Sequence, residues 1–177
     1  MSGKGGSAGA GADDAARLAA LGRRVARIED VAAIERVKAI YAQACDTDYD
    51  VDLFLSIFTE DGVWESNAFG IFSGHDGLTR FMRDADWGEI RFVHHSMIPQ
   101  WIDVAEDGQS ARGYWYLVEF ATRPGPPDDR ADRAVVIAGT YLDELVKVGG
   151  EWKIKHCLAD FAFNSDWDKG WVEQRYR

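Results

Sequence analysis

Four residues carry the acid–base chemistry that this chain can do without a bound group: Tyr41, Asp46, His94 and His95. An imidazole that gives one N–H to a carboxylate is fixed in tautomer and made more basic. Such a pair can take a proton from carbon near neutral pH. A phenol beside it can polarise a carbonyl or assist a departing hydroxide. The histidines lie in FVHHSM, which reads as a strand. Neighbouring strand residues face opposite sides. Phe92, His94 and Ser96 share one face, Val93, His95 and Met97 the other, and both faces mix polar with apolar residues. Alternation therefore leaves open which histidine points inward. Tyr41 lies five residues before Asp46, about 140° away around a helix. The two reach one cavity only if the helix breaks between them or lies across the cavity mouth.

Other chemistries lack their motifs. No GxGxxG follows a strand and no GxxxxGK[ST] is present, so nucleotide phosphates have no cradle. HExxH, paired-cysteine and GxSxG patterns are also missing. His75, His94, His95 and His156 form no i,i+4 pair on a helix, and neither a metal nor an organic cofactor is expected. Cys45 reads as a small buried thiol at a helix end rather than a nucleophile.

The elements that must position these residues follow from composition and periodicity. Residues 1–12, MSGKGGSAGAGA, are expected to be disordered, because Gly, Ser and Ala bury too little to offset their ordering entropy. Asp13 and Asp14 open a helix ending near Arg27. Asp30 is a candidate cap for a second, carrying Ile34, Val37, Tyr41 and Ala44 at helical spacing. Asp50 caps a short helix with Leu53, Ile57 and Phe58 inward, and FTEDGVW is a turn leading into a strand. A hairpin over 63–74 and a short helix from His75 to about Arg83 follow. Four longer strands are expected at about 91–104, 110–122, 132–147 and 151–163. Helices first and a meander afterwards predict an α+β chain with a mainly antiparallel sheet. A single domain over 13–166 is followed by an aromatic tail, 167–177, expected to dock.

The totals agree with one domain: 177 residues, 46% hydrophobic, seven Trp. A formal net charge of −10 repels phosphate backbones and anionic lipid, so nucleic acid and membranes are unlikely partners. No run approaches the ~18 apolar residues that span a bilayer. Two cysteines and no apolar stretch after a basic start point to the cytoplasm.

The stretch IERVKAIYAQACDTDYDVDLFLSIFTEDGVW resembles the opening of SnoaL-like, NTF2-like proteins, and AGTYLDELVKVGGEWKIKHC resembles their final hairpin. Within that superfamily the chain is similar to the lyase branch of scytalone dehydratase, bile acid 7α-dehydratase and hexachlorocyclohexane dehydrochlorinase. The resemblance implies a cone-shaped α+β barrel around an Asp–His dyad. It matches the Asp to Asp46, the His to His94 and a helper Tyr to Tyr41. The dehydrochlorinase's cationic helpers fall where this chain has Tyr41 and Cys157, which favours loss of hydroxide over chloride. Trp64, Trp115 or Tyr116, Tyr141 and Phe161 or Phe163 are candidate pocket walls. The implied function is a cofactor-independent, dehydratase-like lyase acting on a small apolar cyclic molecule, in a homo-oligomer with a trimer favoured. The alternatives are an isomerase or a non-catalytic binding or structural protein.

Overall fold

The structure, a computed structural model, describes residues 7–84 and 90–176. Its elements are α1 (Ser7–Asp46), α2 (Val51–Ser56), β1 (Phe58–Ser66), β2 (Gly70–Ser73), α3 (Gly74–Asp84), β3 (Phe92–Val104), β4 (Ser110–Pro124), β5 (Asp132–Val148), β6 (Glu151–Asp166) and α4 (Gly170–Glu173). The strands form one curved sheet in the order β2-β1-β6-β5-β4-β3. Every pairing is antiparallel except β1 with β6. The sheet is not closed: β2 and β3 are its edges, and the helices cover its inner face.

The meander is set by its turns. Gly149 and Gly150 join β5 to β6 with φ of 60° and 91°, the left-handed pair that a two-residue hairpin needs. Alternation then sorts each strand. Trp115, Leu117 and Glu119 of β4, Tyr141, Asp143 and Leu145 of β5, and Ile154, Cys157 and Ala159 of β6 are buried beneath α1. The facing stripe of α1 is Ile34, Val37, Tyr41, Ala44 and Cys45.

Three local expectations are corrected. The two N-terminal helices are one, unbroken through Asp30. Arg27, Glu29, Ala32, Ala33 and Glu35 stand around that position, all good helix formers, with no Gly or Pro among them, so nothing there stops propagation. Asp30 does not cap. Its carboxylate accepts from Lys147 Nζ (2.6 Å) and Trp152 Nε1 (2.9 Å), tying the middle of α1 to the β5–β6 hairpin. Residues 7–12, expected to be disordered, extend the same helix, while residues 1–6 lie outside the described residues. The FTEDGVW turn is the start of β1, with Thr59–Gly62 forming an irregularity between the pairs Phe58–Ile154 and Val63–His156. Asp50 does cap α2, accepting from Leu53 N at 2.9 Å.

The C-terminal segment lies along β6. Asn164 N donates to Arg175 O (2.9 Å), Asp166 N donates to Gln174 Oε1 (2.8 Å), and Trp171 stacks on Phe163.

Ile154 is fully buried on β6 between its strand partners Phe58 and Leu145. Ile154→Ala should cost about 2–5 kcal/mol in urea denaturation, as cavity-forming substitutions in packed cores do.

Candidate active site

The site begins where α1 ends. Asp46 is its last residue, and Asp48 and Tyr49 follow in the left-handed region, with φ of 48° and 54°. Two such residues in succession cost backbone energy and reverse the chain within a few positions. Asp50 N donates back to Ala44 O at 2.9 Å and locks the reversal. The turn sends the Tyr49 ring inward and leaves the Asp46 carboxylate facing β3.

That carboxylate meets His95. Asp46 Oδ1 lies 2.7 Å from His95 Nδ1, and both carboxylate oxygens accept from the His95 backbone N–H at 3.0 and 3.2 Å. With Nδ1–H given to Asp46, Nε2 faces the interior. Glu119 stands directly opposite His95 on β4, and its Oε2 lies 3.4 Å from Nε2. Both side chains are more than nine-tenths buried.

The expectation that His94 is the inward histidine is corrected. Its side chain is 57% exposed, and its Nδ1 stands 3.6 Å from Asp46 Oδ2. The reason is strand parity. His95 shares the inner face with the half-buried Val93 and Met97, whereas His94 lies with the exposed Phe92. A spacing that is off by one residue reverses the face.

Tyr41 sits deeper. Its hydroxyl accepts from Trp64 Nε1 at 2.8 Å and lies 3.4 Å from the Tyr141 hydroxyl. Tyr41, Cys45, Tyr49, Trp64, His95, Glu119, Tyr141 and Phe161 wall one inner chamber, together with Phe81. Asp46 touches it through His95, which is how the helix end and the buried stripe come to serve one space. The chamber is narrow, about 20 Å³, room for a single water. Glu119 and Phe161 also wall a wider vestibule of about 620 Å³, with Asn67, Phe69, Arg123 and Tyr176 around it.

Other expected walls fall elsewhere. Tyr116 is 46% exposed on the outer face, by alternation from Trp115, and does not line the chamber. Trp115 is buried but walls a groove between α1 and β3 on the far side of His95. Cys157 lies below the chamber, fully buried, with Sγ 3.9 Å from Lys38 Nζ. His156 turns the other way and reaches Glu65 at 3.1 Å.

The sequence reading missed Glu119, Tyr49 and the ion pair beneath the phenols. Lys38 Nζ contacts both carboxylate oxygens of Asp143, at 3.1 and 2.9 Å, and each side chain is 1% exposed. The ammonium lies 4.0 Å from the Tyr141 ring centroid and 4.5 Å from that of Tyr41. The signals were present. Lys38 falls on the stripe of Ile34, Tyr41 and Cys45, and Asp143 and Glu119 share parity with buried residues of their strands. A charge on a buried face needs a partner.

Burial, reinforced by neighbouring acidic groups, holds the phenols of Tyr41, Tyr49 and Tyr141 above the ordinary phenol range. Burial likewise pushes the Cys45 and Cys157 thiols up, so neither is a nucleophile at neutral pH. Among the described residues, no group of three or more His, Cys, Asp or Glu is placed to hold a metal.

A SnoaL-like domain model matches residues 26–157, three quarters of the chain. The chain belongs to the SnoaL-like domain family. No curated protein matches the sequence. Among solved structures, a candidate aromatic ring hydroxylase of Novosphingobium aromaticivorans is 27% identical, with a TM-score of 0.67 over 78% of this chain and 94% of its own. A scytalone dehydratase candidate of the same organism is 20% identical (TM-score 0.66; 81% and 91% covered). The hexachlorocyclohexane dehydrochlorinase LinA-type3 of Novosphingobium barchaimii is 16% identical (TM-score 0.67; 81% and 93% covered). This SnoaL-like chain thus has the NTF2-like, cystatin-like fold, and lyase-type enzymes stand among its structural neighbours.

Two outcomes follow from the buried polar groups. Lys38→Met strands the Asp143 charge and should destabilise by about 3–5 kcal/mol, whereas Lys38→Met with Asp143→Leu should recover most of that in denaturant titrations. The raised phenols act at high pH. The unfolded chain releases their protons near pH ~10 and the folded chain does not. Their contribution to stability is therefore complete below pH ~10 and falls as pH rises beyond it. Urea midpoints between pH 8 and 11 should drop above ~10, less steeply in Tyr41→Phe.

Proposed function

We propose that this SnoaL-like protein is a cofactor-independent lyase in which His95, held by Asp46, removes a proton from carbon. The reading rests on one observation above all: the 2.7 Å contact that fixes His95 Nδ1 on a carboxylate and turns Nε2 toward the chamber. The lyase-type structural neighbours support it, since they carry related chemistry on this fold.

In the proposed step the substrate C–H proton passes to His95 Nε2. The C–H electrons form the new double bond, and the adjacent C–O bond breaks. Tyr41 donates a hydrogen bond to the leaving oxygen, and its raised pKa makes it a hydrogen-bond donor that keeps its proton. The His95 imidazolium then gives the substrate proton to the departing hydroxide, so the net loss is one water and both side chains end as they began. The substrate is a small, largely apolar cyclic molecule seated where chamber and vestibule adjoin. Glu119 and Phe161 must swing to admit it, because the inner chamber alone holds no ring.

Glu119 favours a second reading. Two proton-carrying groups 3.4 Å apart can take a proton at one carbon and return it at another, which is isomerisation. A cytoplasmic homo-oligomer completes the proposal. The unpaired buried cysteines and the exposed outer-face rings of Trp101, Tyr116 and Phe120 are its grounds.

The test is turnover of a panel of cyclic β-hydroxy ketones, read as enone absorbance. His95→Ala should lower kcat/KM by about 10²–10⁴-fold. Asp46→Asn should lower it strongly, and His94→Ala should stay within a few-fold. A panel bound but never turned over would favour a binding protein. A loss in His94→Ala that His95→Ala does not match would refute the assignment.

A further inference from the structure

Among the described residues, the first half of α1 stands exposed. Between Asp13 and Glu29 every residue except Ala20 is exposed, and Arg27 reaches Asp103 at 3.9 Å. Four large apolar residues stand in that span: Leu18 (69% exposed), Leu21 (52%), Val25 (51%) and Ile28 (68%). Their spacing is 3, 4, 3, the a/d alternation of a coiled-coil seam. At 100° per residue the seam points about 180° away from the stripe of Ile34, Val37, Tyr41, Ala44 and Cys45 that packs on the sheet.

We infer that this seam pairs with the same seam of a second copy of the chain, in a parallel, in-register two-stranded coiled coil, a pair of copies where the family resemblance favours a trimer. The flanking charges choose the partner and the direction. With Leu18 and Val25 at a, Arg24 falls at g and Glu29 at the following e. In a parallel homodimer each Arg24 faces the partner's Glu29, an opposite-charge pair made twice. An antiparallel pairing sets g against g, where Arg17 and Arg24 repel. Val25 at a beside Leu21 at d suits two strands and Leu18 at a with Ile28 at d does not, so the flanking charges carry the choice. The symmetry is closed and places the domains on opposite sides of the helix pair. The seam spans only about 15 Å, so the pairing is concentration-dependent.

The experiment is disulfide capture on the full chain. Leu21→Cys should form a covalent dimer under mild oxidation, because equivalent d residues face each other across a parallel seam. Arg23→Cys, on the opposite side of the helix, is the control. Cys45 and Cys157 are buried and do not compete. Capture of Leu21→Cys should exceed the control at least tenfold and vanish when Val25→Glu is added, with the circular dichroism of the domain unchanged. Equal capture of Leu21→Cys and Arg23→Cys would overturn the inference. So would co-sedimentation of the wild-type chain with phosphatidylserine vesicles that Leu21→Glu abolishes, since the seam would then be a lipid-binding face.

Discussion

The contact between Asp46 and His95 holds the site and part of the fold at once. One carboxylate accepts from the His95 ring and from its backbone N–H, so the end of α1 is pinned to the edge strand β3. Everything nearby depends on that pin. The left-handed turn at Asp48 and Tyr49 delivers the carboxylate to β3 and a phenol to the chamber. The parity of β3 then decides which side chains face α1. An edge strand held by a side chain as well as by its one neighbour, β4, gains definition where the sheet would otherwise fray.

Beneath the pin the interior is polar to an unusual depth. Lys38 and Asp143 neutralise each other under the rings of Tyr41 and Tyr141, and Trp64 donates to the Tyr41 hydroxyl. A well-packed apolar filling of such a space is often about as stable. Its retention is consistent with a region organised to place donors and acceptors rather than only to fill volume. Glu119 extends the same pattern to the far side of His95, so the imidazole stands between two carboxylates. What moves to admit a ligand is then a narrow question about two side chains, Glu119 and Phe161, because these two also wall the wider vestibule.

Much of this was legible in the residues. The meander, its glycine turns, the cap at Asp50 and the buried helical stripe all follow from local rules, whereas the pairing of Asp46 with a histidine came from the family resemblance, which put it on His94. The unread part has physical causes. Whether His94 or His95 points inward depends on register set by β4, and adjacent residues of mixed polarity carry no local clue. The split of α1 into two helices came from taking Asp30 as a cap, when its partners, Lys147 and Trp152, lie more than a hundred residues away. Tyr116 was a wall only while the parity of Trp115 was undecided. Lys38 with Asp143 is visible only once helix stripe and strand parity are superposed.

The most direct measurement is the nitrogen-15 and proton NMR signature of the histidine rings. A short Nδ1–H bond from His95 to Asp46 predicts a strongly downfield ring N–H resonance that assigns to His95, disappears in Asp46→Asn and persists in His94→Ala. A downfield resonance that assigns to His94, or one on His95 indifferent to Asp46→Asn, would contradict the account.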